Sequence, residues 1–173
     1  EAEGAGYDGG SPNPGVAPAI GIAILDTGLD YTHPDISASP YSFPNNKMPG
    51  GTDLVNGDSD PMDDNGHGTH VAGTIAAAKN GKGVVGVAPK AKVFAIKVLD
   101  ADGGGTVENI IDGIDWAAEN GMQVINMSLG STSLATPVSE ACQYAAGSGV
   151  LLAAASGNDG TSPVNYPAGL NEC

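Results

Sequence analysis

Apolar residues along this chain gather in short runs, set apart by polar or small-residue stretches. The runs IGIAIL (20–25), VINMSL (124–129) and VLLAAA (150–155) hardly alternate between apolar and polar positions. That pattern predicts strands buried on both faces, and a fourth strand is predicted over 91–99. Helical stretches lie between them. Residues 67–78 are dense in Ala and Gly. Over 106–120, Ile110, Ile114 and Ala117/Ala118 share one helical face, with Thr106 as N-cap and Gly121 as the stop. Thr136-Pro137 opens a further helix, with proline at the first helical position. Residues 1–19, rich in Gly, Pro and Ser, predict an irregular N-terminal arm. Residues 36–66, with Pro40, Pro44, Pro49 and Pro61, predict a long polar loop, and 79–89 another.

Strands alternating with helices predict an α/β fold with a mainly parallel sheet. In such sheets, functional groups collect beyond the carboxyl ends of the strands. Asp26 closes its strand at that edge, and Ser128-Leu129-Gly130 and Gly157-Asn158 follow two others.

Composition narrows the function. The chain has 173 residues, enough for one domain with a sizeable core. It carries 20 acids against 6 lysines, for a net charge of −14. That balance argues against a nucleic-acid or anionic-membrane partner. No run of 18 apolar residues occurs, so no membrane span is expected. The opening residues, Glu1-Ala2-Glu3-Gly4, have neither a basic nor an apolar leader region, so a signal peptide is expected to be absent or already removed. Two cysteines, Cys142 and Cys173, leave three states open: paired together, free, or Cys173 paired elsewhere.

The candidate chemistry centres on Asp26 and His67. A general-base histidine needs one nitrogen toward its nucleophile and the other held by an acceptor. A carboxylate in that second role fixes the tautomer and stabilises the imidazolium. It also offsets the positive end of the helix that His67 opens. An Asp and a His 41 residues apart would alone mean little. The segments around them say more. Ile24-Leu25-Asp26-Thr27-Gly28, with His33-Pro34-Asp35 after it, resembles the aspartate segment of the subtilisin-like serine peptidases, the subtilases. Asn65-Gly66-His67-Gly68-Thr69-His70-Val71-Ala72-Gly73-Thr74 resembles their histidine segment. Val124 to Gly130 resembles their substrate-binding strand, and Ala153 to Asn158 their oxyanion segment, all in the family's order.

The resemblance implies a three-layer αβα fold. It makes 20–173 the N-terminal portion of a catalytic domain, stopping before the family's C-terminal strands and serine-bearing helix. Asp26 would orient His67, His67 would act as general acid and base, and Asn158 would donate to the oxyanion. His70 would be packed structurally on the same helix face, and His33 would sit in a surface turn. Gly103-Gly104-Gly105 and Ser128-Leu129-Gly130 would sandwich an extended peptide. Gly130, Ala155 and Gly157 would form an open pocket for the side chain before the scissile bond. The family's Gly-Thr-Ser-Met-Ala segment is absent from these residues. Asn126-Met127-Ser128-Leu129-Gly130 only approaches the strand-turn-helix elbow of a nucleophilic serine. The implied protein is a secreted, extracellular endopeptidase acting on polypeptides, its serine on a missing or companion segment. The competing expectation is an inactive fragment, or a calcium-stabilised fold that binds peptides by strand addition.

Calcium enters through two loops. Residues 53–61 offer hard oxygen donors at close spacing. They resemble a calcium loop of thermitase-like subtilases, which implies Asp53, Asn56, Asp58 and Asp60 as ligands with the backbone oxygen of Met62. The family's other site implies Asp35, Asn80 and the carbonyls of Ala78, Lys82 and Val84. Gly81-Lys82-Gly83-Val84-Val85-Gly86 fits a dinucleotide fingerprint only literally, since it follows a helix and precedes a strand.

Overall fold

The computed structural model describes residues 20–37, 50–158, 160 and 164–173. The N-terminal arm expected over 1–19 lies outside them. Nine elements follow in order: β1 (Gly21–Asp26), α1 (Pro34–Ser37), β2 (Gly51–Asp53), α2 (His67–Ala76), β3 (Lys92–Lys97), α3 (Val107–Glu119), β4 (Val124–Met127), α4 (Thr136–Gly147) and β5 (Leu151–Ala154). The five strands form one sheet in the order β2-β3-β1-β4-β5, and every pairing is parallel. β1 is central, with Asp26 in register with Lys97 on one side and Leu25 with Met127 on the other.

Alternate residues of β1 feed two cores, which makes the fold three layers deep. Ala23 and Leu25 pack with Ile96, Ile125 and Met127 of the sheet and with Ile114 and Ala117 of α3. Ile24, pointing the other way, packs with Ala72 and Ala76 of α2 and with Leu29 and Ile36. Ile114 is fully buried at the centre of the first core. Cutting it to alanine is expected to cost about 2–5 kcal/mol. Thr106 caps α3 as expected, its side chain accepting the Asn109 N–H.

Three features depart from the sequence expectation. The stretch expected as a long loop, 36–66, contains the three-residue β2 and the last two residues of the four-residue α1. β2 is too short for a periodicity and owes its strand state to pairing with Ala95–Lys97. Helix α2 ends at Ala76, where its C-cap Ala77 turns extended. Lastly, β4 and β5 are not buried on both faces. Leu151 is 65% exposed while Leu152 is buried. Helices α3 and α4 cover one side of the sheet, α2 covers β1 and β3 on the other, and β5 is an edge strand.

Candidate active site

Asp26 ends β1 with its side chain wholly buried. His67 begins α2, and its Nδ1 lies 2.7 Å from Asp26 Oδ1. The same oxygen accepts the Thr27 N–H at 2.7 Å. Asp26 Oδ2 is buried without a hydrogen-bond partner among the described residues. The imidazole is therefore the side-chain partner on which this carboxylate depends, and its Nδ1 carries the proton toward the acid. The His67 side chain is half exposed, at 49%.

Two glycines permit that approach. A Cβ on Gly68 would collide with the carbonyl oxygen of Gly28 and lie 3.2 Å from the Cβ of Asp26. Gly28 itself has φ +116, and a Cβ there would stand 2.6 Å from the Pro61 carbonyl oxygen. The first turn of α2 thus rests directly on the Asp26-Thr27-Gly28 backbone.

The first N–H groups of α2 have no partner inside the helix and must find one outside it. Gly66, at the N-cap, supplies no side chain. Three other residues serve instead. Asn65 Oδ1 accepts from His67 N–H at 3.1 Å, Thr27 Oγ1 from Gly68 N–H at 2.9 Å, and Asp63 Oδ2 from Thr69 N–H at 2.9 Å. Asp63 does more. Its Oδ1 accepts from Thr27 Oγ1 at 2.8 Å and from the N–H groups of Asn65 and Gly66. Thr69 Oγ1 also donates to Asp63 Oδ2, at 2.5 Å. Partial burial alone would raise the Asp63 carboxyl, but the donors from Gly66, Thr69 and Asn65 outweigh it and lower it to about 2. Asp63 was not visible in the sequence as a site residue. The signal was its position four residues before the histidine, where a helix preceded by glycine needs an acceptor.

Lys97 is the second residue the sequence reading missed. It closes β3 beside Asp26 and is 1% exposed. Its ammonium donates to Thr27 O at 2.7 Å, to Asp64 Oδ1 at 2.6 Å and to Leu99 O at 3.0 Å. Three protons meet three acceptors, so the buried charge is satisfied and the β1 and β3 ends are tied together. A lysine inside the apolar run FAIKVL was the available clue.

Beyond His67 opens a cleft of about 710 Å³. Gly103, Gly104 and Gly105 line it, as do Ser128, Leu129 and Gly130, so the structure brings both expected peptide-binding segments together with the histidine. The glycine segment is ordered by its own bonds. Asp100 Oδ1 accepts the N–H groups of Asp102 and Gly104, and Gly105 bridges back to Leu99. Tyr166, Pro167 and Leu170 form a further wall that the sequence did not announce. Ala155, Gly157 and Asn158 do not line this cleft; they follow β5 at the same sheet edge and are exposed. Asn165 packs between the two expected pocket glycines: a Cβ on Gly130 would meet its Cβ at 3.1 Å, and one on Gly157 its Nδ2 at 2.5 Å.

His33 sits in its surface turn, its Nδ1 accepting the Asp35 N–H at 3.2 Å. His70, expected to be packed, is exposed instead. It borders a second cavity of about 580 Å³ with His33, Val84, Val85 and Val87.

The two calcium loops do not fit an ion as they stand. Among the described residues, no three carboxylate, imidazole or thiol groups converge on a shared point. Asp53 is buried and closes its own turn: Oδ1 accepts the N–H groups of Val55 and Asn56, and Oδ2 the Asn56 side-chain amide. Asp58 accepts from Asp60 N–H. Asp60 accepts from the Tyr31 hydroxyl, a bond that holds this phenol above its ordinary value. The Met62 carbonyl is turned toward Gly28. In the other loop, Asp35 faces N–H donors, Asn80 Nδ2 at 3.2 Å and Val84 N at 3.3 Å, where calcium needs oxygens. The Ala78 carbonyl accepts the Asn80 N–H, and Lys82 N–H bonds Asn80 Oδ1.

The fold and the site together define an α/β protein whose carboxylate-held histidine faces an extended cleft at the carboxyl edge of a parallel sheet. The chain belongs to the subtilase family, whose model matches residues 18–173. It is 48% identical over 149 residues to Subtilisin BL of Lederbergia lenta, covering 86% of this chain and 51% of that one. It is 46% identical to the Thermostable alkaline protease of Halalkalibacterium halodurans, over 85% of this chain and 38% of that one. It is 45% identical to Subtilisin E of Bacillus subtilis, over 86% and 38%. The chain thus spans about half or less of the length of these relatives. No helix among the described residues is long and apolar enough to cross a membrane.

Proposed function

We propose that this chain supplies the general-base half of a secreted serine endopeptidase of broad specificity. The observation that carries the reading is the 2.7 Å contact between His67 Nδ1 and the buried Asp26. With Nδ1 committed to the carboxylate, Nε2 is left to take a proton from a nucleophile. The nucleophile is a serine hydroxyl on a companion segment of the Gly-Thr-Ser-Met-Ala kind. Its Oγ attacks the peptide carbonyl as its proton passes to His67 Nε2, and Asp26 stabilises the imidazolium. The Asn158 side-chain N–H donates to the oxyanion, a task suited to a neutral amide. His67 returns the proton to the leaving amine. Water, activated by the same ring, then releases the acyl group.

Two features of the cleft support polypeptide substrates. The glycine segment and residues 128–130, which run on from β4, flank it, so an extended peptide can add as a strand between them. Main-chain bonds of that kind do not read side chains, which supports broad specificity. The open pocket is assigned to Gly130, Ala155 and Gly157, with the Asn165 side chain beside both glycines.

The companion is supported by what the sheet leaves uncovered. β4 and β5 carry the apolar pattern of doubly buried strands, yet Leu151 is exposed, as are Val84, Val85 and Val87 beside α2. The match to only 51% of Subtilisin BL points the same way. The calcium expectation rests on the resemblance alone, because both loops satisfy their own acids.

A fluorophosphonate probe is expected to leave the isolated chain unlabelled, and to label a companion fragment bearing the serine once the two are combined. Stoichiometric labelling of this chain alone would overturn the reading. Native mass of the preparation reports whether such a fragment is bound.

A further inference from the structure

Cys142 and Cys173 lie 31 residues apart in sequence and belong to different elements. Cys142 stands in α4 and is fully buried in the main core. Cys173 is exposed, at the end of a turn in which its N–H reaches the Leu170 carbonyl at 3.4 Å. Leu170 packs against the same core as Cys142. The 164–173 segment thus folds onto α4, with Leu170 in the cluster that holds Cys142, and sets Cys173 close enough for the two thiols to shift one another's ionisation. Both are free in the structure.

We infer that Cys142 and Cys173 form an intramolecular disulfide that fastens the 164–173 segment to α4. The order of events follows from exposure. Cys173, the accessible thiol, attacks a small disulfide oxidant such as glutathione disulfide as its thiolate, giving a mixed disulfide and releasing one thiolate. Cys142 then loses its proton and attacks the Cys173 sulfur, expelling the second thiolate. Two protein thiols are oxidised and one oxidant disulfide is reduced to two thiols, so atoms and electrons balance. Burial, together with the neighbouring Cys173, raises the Cys142 thiol to about 12, so it cannot begin the exchange. It is suited to resolving a mixed disulfide already in contact with it.

The bond has a consequence at the cleft. Ala135 and Val138, from the start of α4, line it on one side, and Tyr166, Pro167 and Leu170 from the other segment line it too. Oxidation therefore joins two parts of one wall. That consequence rests on the proposed peptide-binding role of the cleft; the disulfide itself does not.

The test is incubation of the full chain in glutathione buffers, from reducing to oxidising. Intact mass and non-reducing peptide mapping follow. The expected result is a mass loss of roughly 2 Da, one hydrogen per thiol. A cross-linked peptide pair containing Cys142 and Cys173 should accompany it, with a rise in melting temperature that dithiothreitol reverses. The variant C173S, changed at an exposed site, should fold as the parent does and lose the redox-dependent rise. Two alkylatable thiols in the folded protein under oxidising buffer would overturn the inference. So would disulfide dimers linked through Cys173. Neither outcome bears on the base pair at His67, which the fluorophosphonate experiment tests separately.

Discussion

Two stretches at the same sheet edge are built in opposite ways. Residues 63–69, which deliver His67, are held by side-chain acceptors from Asp63, Asn65 and Thr27 and by backbone contact between Gly28 and Gly68. Residues 155–158, which deliver Asn158, are exposed, and Asn158 makes no hydrogen bond among the described residues. The proposed base is fixed by contacts within this chain, whereas the proposed oxyanion donor lies in an exposed stretch beyond β5, which is an edge strand among the described residues. Preorganisation is therefore local to the base.

Substitutions can break or sharpen that contrast. The largest effect is expected at His67. In the combined pair with the serine fragment, His67→Ala should lower turnover on the order of 10²–10⁴-fold, the usual contribution of a positioned general base. Asn158→Ala comes next. Loss of one oxyanion donor costs about 2.7–4 kcal/mol of transition-state stabilisation, a magnitude measured on a subtilisin. Its melt should match the parent's, since the residue is exposed and bonds no described residue; a large fall in melting temperature would erase the contrast. Gly68→Ala should do the reverse and lower stability by about 1–3 kcal/mol through overpacking against Gly28, read in a urea titration.

Asp63→Asn removes acceptor capacity from the N–H groups that begin α2 and should cost about 1–3 kcal/mol at neutral pH. The pH dependence has a definite sign. The folded carboxyl lies below its ordinary value, near 2, so its stabilisation is present above about pH 4 and is lost as pH falls toward 2. Parent and variant stabilities should converge over that window; a gap that stays constant would exclude the carboxylate as its source. The smallest effect is expected from excess EGTA. With Asp53 and Asp35 already bonded within their loops, the melt should not move. A lower melting temperature would mean that the loops rearrange around an ion.

Much of this was legible in the residues. The alternation of apolar runs with helical periodicity gave the parallel α/β sheet. The Asp and His segments gave the pair that the structure joins. What escaped was context. β2 spans three residues and exists by pairing with β3, which no local pattern encodes. Leu151 looked doubly buried because its run is apolar, but burial depends on which helices cover which half of the sheet. Asp63 read as one acid among several in a polar loop. Its role follows from Thr27, 36 residues away in sequence, turning its hydroxyl onto it. The acids at 53 and 58 read as cation ligands because spacing alone cannot show that turns consume their oxygens.

Lys97 gives the edge that carries Asp26 a built-in chemical clock. Of the five lysines described, four have at least part of their surface in water, while Lys97 is sealed beneath Thr27 and Leu99. An amine-reactive reagent can reach its ammonium only while the ends of β1 and β3 are parted. The slow fraction of lysine acylation, followed by mass spectrometry, would then count openings of the strand that carries Asp26. It needs no substrate and no partner, so the readiness of the proposed base could be followed in this chain by itself.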